Sequence, residues 1–186
     1  MIEPSAILPE KPRPLKRSEY ERLVELGAFE NERVELLRGT LVAMSPQDPQ
    51  HTSPIGTLNM LLVPALVGRA LVRVQSPLVA ADESEPEPDL AVVPLGDYRR
   101  AHPSLALLII EVAFSSAKKD RVVKGPLYAE SRFPEYWLVD VQAGIIEVHR
   151  DPSPSGYRVV VPHGPGETIS VAAFPDVLVR VDDVFG

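Results

Sequence analysis

The stretch Leu105-Ala106-Leu107-Leu108-Ile109-Ile110-Glu111-Val112-Ala113-Phe114 is the most continuously apolar run of this chain, and one carboxylate interrupts it. Such a run reads as a strand covered on both faces, so the rest of the sequence must furnish layers for both sides of a sheet. A lone carboxylate buried in that strand costs several kcal/mol unless a cation or hydrogen-bond donors compensate it. Glu111 therefore needs partners, and their identity decides what the chain can do.

At 186 residues the chain is long enough for one domain with a proper core, expected over residues 16–186. Prolines number 20, about twice the usual ~5% share. Four of them, Pro4, Pro9, Pro12 and Pro14, mark residues 1–15 as an extended arm that lies on the domain or on a partner subunit. The absence of cysteine excludes disulfides, thiolate metal sites and a thiol nucleophile, so any metal must bind oxygen or imidazole.

The N-terminus lacks the basic start and apolar stretch of a secretion signal, and a cytoplasmic location is expected. No segment reaches the ~18 uncharged apolar residues that span a bilayer, so no membrane partner is expected. A formal charge of -7 argues against a protein that coats nucleic acid at large. It leaves room for a local basic site, because Lys118, Lys119, Arg121 and Lys124 gather around the single acid Asp120.

Ser18-Glu19-Tyr20-Glu21 predicts a capped helix that runs to Leu26 and stops at Gly27. Arg33–Leu37 and Thr40–Met44 around Arg38-Gly39 predict a hairpin. A helix is expected from His51 to about Val67, with Pro54 in its first turn. Strands follow at Leu71–Gln75, Leu78–Ala80, Leu90–Val93 and Leu105–Ala113. A helix over roughly Ser116–Ser131 should be kinked or start late, because Pro126 cannot bond the Val122 carbonyl. Strands at Tyr136–Val139, Ile145–His149 and Tyr157–Val161 complete an α/β or α+β domain with a mixed sheet, flanking helices and a β-rich C-terminal part.

Pro88-Asp89 opens one strand and Glu111 lies inside the next long one. If those strands pair, two carboxylates meet at one edge of the sheet, the arrangement that holds Mg²⁺ or Mn²⁺ and leaves room for phosphate and water. Lys124 is the candidate cation beside the attacking water. Each residue also has a plainer reading. Asp89 can cap a turn, Glu111 can sit in a buried ion pair with Arg121, and Lys124 can pair with Asp120 on a helix surface. Glu35, alternating with Val34 and Leu36, can face solvent. His51 is an accessory residue at most, since the four histidines form no zinc motif, while Tyr128, Tyr136 and Trp137 read as core.

Several stretches taken together resemble the Uma-type restriction endonuclease family, within the PD-(D/E)XK nuclease superfamily. They are Arg33-Val34-Glu35-Leu36-Leu37-Arg38-Gly39, Met44-Ser45-Pro46 with His51, Glu85-Pro86-Glu87-Pro88-Asp89-Leu90, Glu111 to Ser116, Asp120-Arg121, Lys124, Pro126-Leu127-Tyr128-Ala129, Pro134 to Asp140, and Asp151-Pro152-Ser153-Pro154 with Gly156-Tyr157. The resemblance implies a restriction-endonuclease-like fold, a Mg²⁺- or Mn²⁺-dependent DNA endonuclease, and Asp89, Glu111 and the Val112 backbone carbonyl as metal ligands. Glu35 would be a further or water-mediated ligand, with His51, Asp120 and Arg121 as accessory residues. Ala113 stands where the superfamily carries its lysine, two places after the second acid, and Lys124 matches this family's lysine on the following helix. Phe114, Arg38 and Ser131-Arg132 depart from the family pattern. The other outcome is a nuclease fold kept as a binding or assembly module without turnover. Duplex cleavage needs two cuts, so a homodimer or higher homo-oligomer is expected.

Overall fold

A computed structural model of the chain describes residues 12–44 and 48–186. The expected arm over residues 1–15 therefore falls outside the described residues as far as position 11, as do Ser45 and Pro46. The chain divides into two compact units, one comprising Met1–Met44 with Ala81–Glu85, the other Ser45–Ala80 with Pro86–Gly186.

In the smaller unit, helix α1 spans Arg17–Glu25. It begins one residue before the expected cap, because Glu19 accepts the Lys16 backbone N–H at 2.9 Å. Gly27, at φ +76°, ends it with a bond to the Val24 carbonyl. Strands β1 (Val34–Leu37) and β2 (Thr40–Ala43) form the expected antiparallel hairpin. Arg38 and Gly39 both adopt positive φ, the geometry of a two-residue turn whose twist matches the strands. Segment 84–85 pairs with the other edge of β1, since Leu36 and Glu85 exchange backbone bonds at 3.3 and 2.8 Å. Tyr20, which donates its hydroxyl to the Val34 carbonyl, packs with Val34 and Leu36 into a small core. All four residues of β1 are buried, Glu35 included.

The larger unit is built on a six-stranded mixed sheet in the order β3-β4-β5-β6-β7-β8. The strands are β3 (Leu71–Val74), β4 (Leu90–Val93), β5 (Leu108–Ala113), β6 (Glu135–Asp140), β7 (Ile145–Ser153) and β8 (Gly156–His163). Only the β5/β6 pair is parallel, and the chain between them crosses over through helical structure. The expected strand at Leu78–Ala80 is absent. That segment is extended and tied down by single backbone bonds from Leu78 to Pro86 and from Val79 to Pro103.

Alternation along the strands sorts the sheet's two faces. Leu90, Val92, Leu108, Ile110, Val112, Trp137, Val139, Ile146 and Val148 share one core. It also takes in Leu58, Leu62 and Leu66 of helix α2 (Pro49–Leu66) and the C-terminal β9 (Thr168–Val171), β10 (Phe174–Arg180) and α5 (Val181–Phe185). Helix α2 starts two residues before His51 because Asp48 caps it, accepting the His51 N–H at 3.0 Å, so Pro54 lies beyond the first turn.

The opposite face carries Ala91, Val93, Ile109, Ala113, Tyr136 and Leu138 beneath Tyr128. Above it runs a composite helix of α3 (Ala117–Lys119), a π-helical turn (Asp120–Lys124) and α4 (Gly125–Glu130). The irregularity expected from Pro126 takes the form of that π turn, in which the Gly125 N–H reaches back five residues to the Asp120 carbonyl. Gly125 sits so close to the sheet that a Cβ there would lie 3.3 Å from that carbonyl oxygen and 3.5 Å from the Tyr136 ring.

Candidate active site

Glu111, alternating with Ile109 and Ala113, lies on the face beneath the composite helix, and Asp89 immediately precedes β4. The β4/β5 register pairs Leu90 with Ile110, and continued by one residue it sets Asp89 opposite Glu111. One residue further, Pro88 stands opposite Val112 and has no N–H to offer the ladder. The Val112 N–H instead goes to Asp89 Oδ2 at 2.8 Å, which fixes that carboxylate against β5. Asp89 thus does more than cap a turn.

Glu111 is 4% exposed and Lys124 3% exposed, so their contact, Nζ to Oε1 at 2.9 Å, is a buried ion pair. Tyr128 gives its hydroxyl to the same Oε1 at 2.5 Å. The plain reading of Glu111 therefore had the right kind of partner and the wrong residue. Arg121 turns instead to Glu147 at 2.8 Å and Asp140 at 2.6 Å, whose hydrogen bonds, Glu147's foremost, raise its pKa above the ordinary arginine value. The reading of Lys124 as one half of an exposed helix pair fails as well, because the π turn buries both Asp120 and Lys124.

Asp120 accepts the Ser116 hydroxyl at 2.6 Å. Burial raises its pKa, against the opposing pull of that hydrogen bond and of Lys124. His51, at the start of α2, brings Nε2 to 3.2 Å from Asp89 Oδ2. Its pKa is raised by the hydrogen bond to Asp89, opposed by partial burial, with the Val112 backbone and Glu111 adding smaller upward effects. Glu35 belongs to the smaller unit, where it is 1% exposed, so the solvent-facing reading is wrong.

The residue that sequence reasoning missed is Tyr128, taken for core alone. It is fully buried, and it also completes the donor pair on Glu111. The available signal was its spacing four residues after Lys124, which puts two donors on one stripe of a helix.

Among the described residues, no group of three or more His, Asp or Glu side chains is arranged to hold a metal ion. The donor types are nevertheless those a hard divalent cation takes: the carboxylates of Asp89 and Glu111, set opposite each other by the continued register, and the Val112 backbone carbonyl, opposite a proline that offers no N–H. Mg²⁺ commonly keeps several waters and is held by one or two carboxylates, so this set fits it.

Residues 17–182 match the family model described as "Uma2: Putative restriction endonuclease". The chain belongs to the Uma2 family. The fold agrees with a solved Anabaena variabilis ATCC 29413 structure described as a "putative nuclease belonging to DUF820", at a TM-score of 0.70 and 16% identity. That match covers 92% of this chain and 98% of the other, so the mixed sheet and its flanking helices are shared across nearly the whole length. No curated protein matches the chain. Among the described residues no helix is long and apolar enough to cross a membrane.

Proposed function

We propose that this Uma2 family chain is a metal-dependent endodeoxyribonuclease that hydrolyses phosphodiester bonds of DNA with Mg²⁺ or Mn²⁺. The observation that carries the reading is the buried contact of Lys124 with Glu111, on the strand next to Asp89. Burying a lysine and a glutamate together costs more than an apolar pair of similar size, so the arrangement asks for a reason beyond stability.

A divalent ion held by Asp89, Glu111 and the Val112 carbonyl would lower the pKa of a bound water and offset charge on the phosphoryl oxygens. The protein's own groups do the rest. The Val112 N–H holds Asp89 in place, and Lys124 supplies a desolvated positive charge for the attacking water or the phosphate. His51 adds a second contact to Asp89 Oδ2, the oxygen that also accepts the Val112 N–H, and would supply positive charge near the substrate. The neighbouring Lys118 is exposed and lends this face local positive charge in a chain of net charge -7, whereas Arg121 is engaged by Asp140 and Glu147.

The test is cleavage of plasmid and linear DNA by the purified protein with Mn²⁺ or Mg²⁺, beside Asp89→Ala. Cleavage by the parent and its loss in the variant are expected. No cleavage by the parent at metal concentrations that demonstrably bind would refute the reading.

One observation favours a second reading, a nuclease fold retained as a binding or assembly module: Lys124 lies 2.9 Å from Glu111 and neutralises it as a buried structural pair would. Calorimetric titration with Mn²⁺ separates the two, since a module without turnover gives no metal heat for Asp89→Ala to abolish. Either form is proposed to act as a homodimer, which light scattering reads directly.

A further inference from the structure

Two donors converge on one oxygen of Glu111, and they differ in charge. Lys124 brings an ammonium to Oε1 at 2.9 Å, and Tyr128 brings a neutral phenol to the same atom at 2.5 Å. For the nuclease reading both cannot have the same task. A divalent cation sharing the Glu111 carboxylate would repel the ammonium and favour its approach to the phosphate, where that reading needs it. The phenol is neutral and feels no such repulsion.

We infer that Tyr128 is a positioning residue for Glu111, the donor that keeps this carboxylate aimed at the metal when Lys124 leaves it for the substrate. The inference rests on the metal-dependent reading above and deepens it. Three features support the assignment. Tyr128 is fully buried, so its hydroxyl has no exchange with bulk water to weaken the bond. Its ring is held on two sides, by Phe133 at 6.0 Å and by Tyr136 at 5.3 Å between centroids, so the hydroxyl is delivered from a fixed direction. It lies inside α4, whereas Lys124 is the last residue of the π turn that precedes it, so the phenol is carried by regular helix and the ammonium by the irregular turn. Outer partners of this sort orient a ligating carboxylate, and their loss typically costs about 10–100-fold in metal affinity or activity.

The experiment is calorimetric Mn²⁺ titration of the full chain and of two variants, with thermal unfolding of each in the absence of metal. Tyr128→Phe keeps the ring and removes one hydrogen bond. It should bind Mn²⁺ about 10-fold more weakly or worse, in line with that range. Lys124→Met keeps the phenol on Glu111 and removes the like charge. It should bind Mn²⁺ at least as tightly as the parent while DNA cleavage is lost.

A Tyr128→Phe protein that binds Mn²⁺ as tightly as the parent overturns the inference, whatever its unfolding temperature, and leaves the nuclease reading standing. Loss of Mn²⁺ binding in a folded Lys124→Met protein also overturns it, since the lysine would then be what holds the carboxylate. That second variant decides the matter if Tyr128→Phe does not fold. A parent chain that binds no Mn²⁺ at all sinks the nuclease reading, and the assignment of Tyr128 with it.

Discussion

One helical turn carries two cations, three residues apart, that serve carboxylates in opposite ways. Lys124 is buried over β5 and meets Glu111 with its ammonium beside a phenol. Arg121 keeps its side chain 38% exposed and grips Asp140 and Glu147, from β6 and β7, with its fork. A guanidinium at a wet rim loses little hydration and gains planar, multiple hydrogen bonds, which makes it a clamp. An ammonium stripped of water is a concentrated point charge whose loss the fold cannot easily absorb. The contrast teaches that burial of the cation, more than the presence of an acid–base pair, separates the candidate catalytic couple from its structural neighbour.

The largest expected effect comes from breaking the buried pair on one side only. Lys124→Met leaves Glu111 charged and nearly inaccessible, with a cost of about 3–5 kcal/mol in chemical denaturation. Arg121→Met leaves Asp140 and Glu147, whose side chains keep 11% and 15% exposure against 5% for Glu111, so its cost should be smaller than that of Lys124→Met. Equal losses in the two variants would abolish the distinction between them.

The comparison sharpens when both buried partners go. Combining Lys124→Met with Glu111→Gln removes the orphaned charge, so the double variant should be more stable than Lys124→Met alone. Its coupling energy should fall within the roughly 0.5–3 kcal/mol usual for residues in contact. Additive losses would mean that the two groups do not sense each other, against the 2.9 Å contact.

How much of this was legible beforehand follows the range of the interactions. Asp89 and Glu111 stood out because each breaks a local rule, a proline-acid pair at a strand mouth and a carboxylate in an apolar run. The Arg38-Gly39 hairpin was equally readable, being decided by neighbouring residues. The solvent-facing reading of Glu35 arose because a hairpin seen alone has one wet face, whereas in the fold the residue is 1% exposed. The π turn left a trace at Pro126, but its phase did not, and phase is what carries Lys124 onto Glu111 instead of into solvent. Tyr128 was invisible for a related reason: composition marks an aromatic among apolar neighbours as core, and only the fold shows what its hydroxyl touches.

The smallest expected effect lies in the two histidines that accompany these couples, and it has opposite signs at the two places. His51 has its pKa raised by Asp89, so the folded state holds a proton that the unfolded chain releases near 6.5. That contribution to stability is fully present below the unfolded value and is lost as pH rises through the higher folded value. His149 stands 3.3 Å from Glu147, yet burial dominates and lowers its pKa. The folded state therefore keeps His149 neutral where the unfolded chain would take up a proton, and stability falls as pH drops through about 6.5 toward the lower folded value. Proton NMR titration of the metal-free protein should place the His51 midpoint above 6.5 and that of His149 below it. Adding Mg²⁺ should drive the His51 midpoint down and leave that of His149 where it was, because only His51 shares its carboxylate with the proposed cation. A His51 midpoint that ignores Mg²⁺ would dissolve the distinction between the two couples at the point where it bears on function.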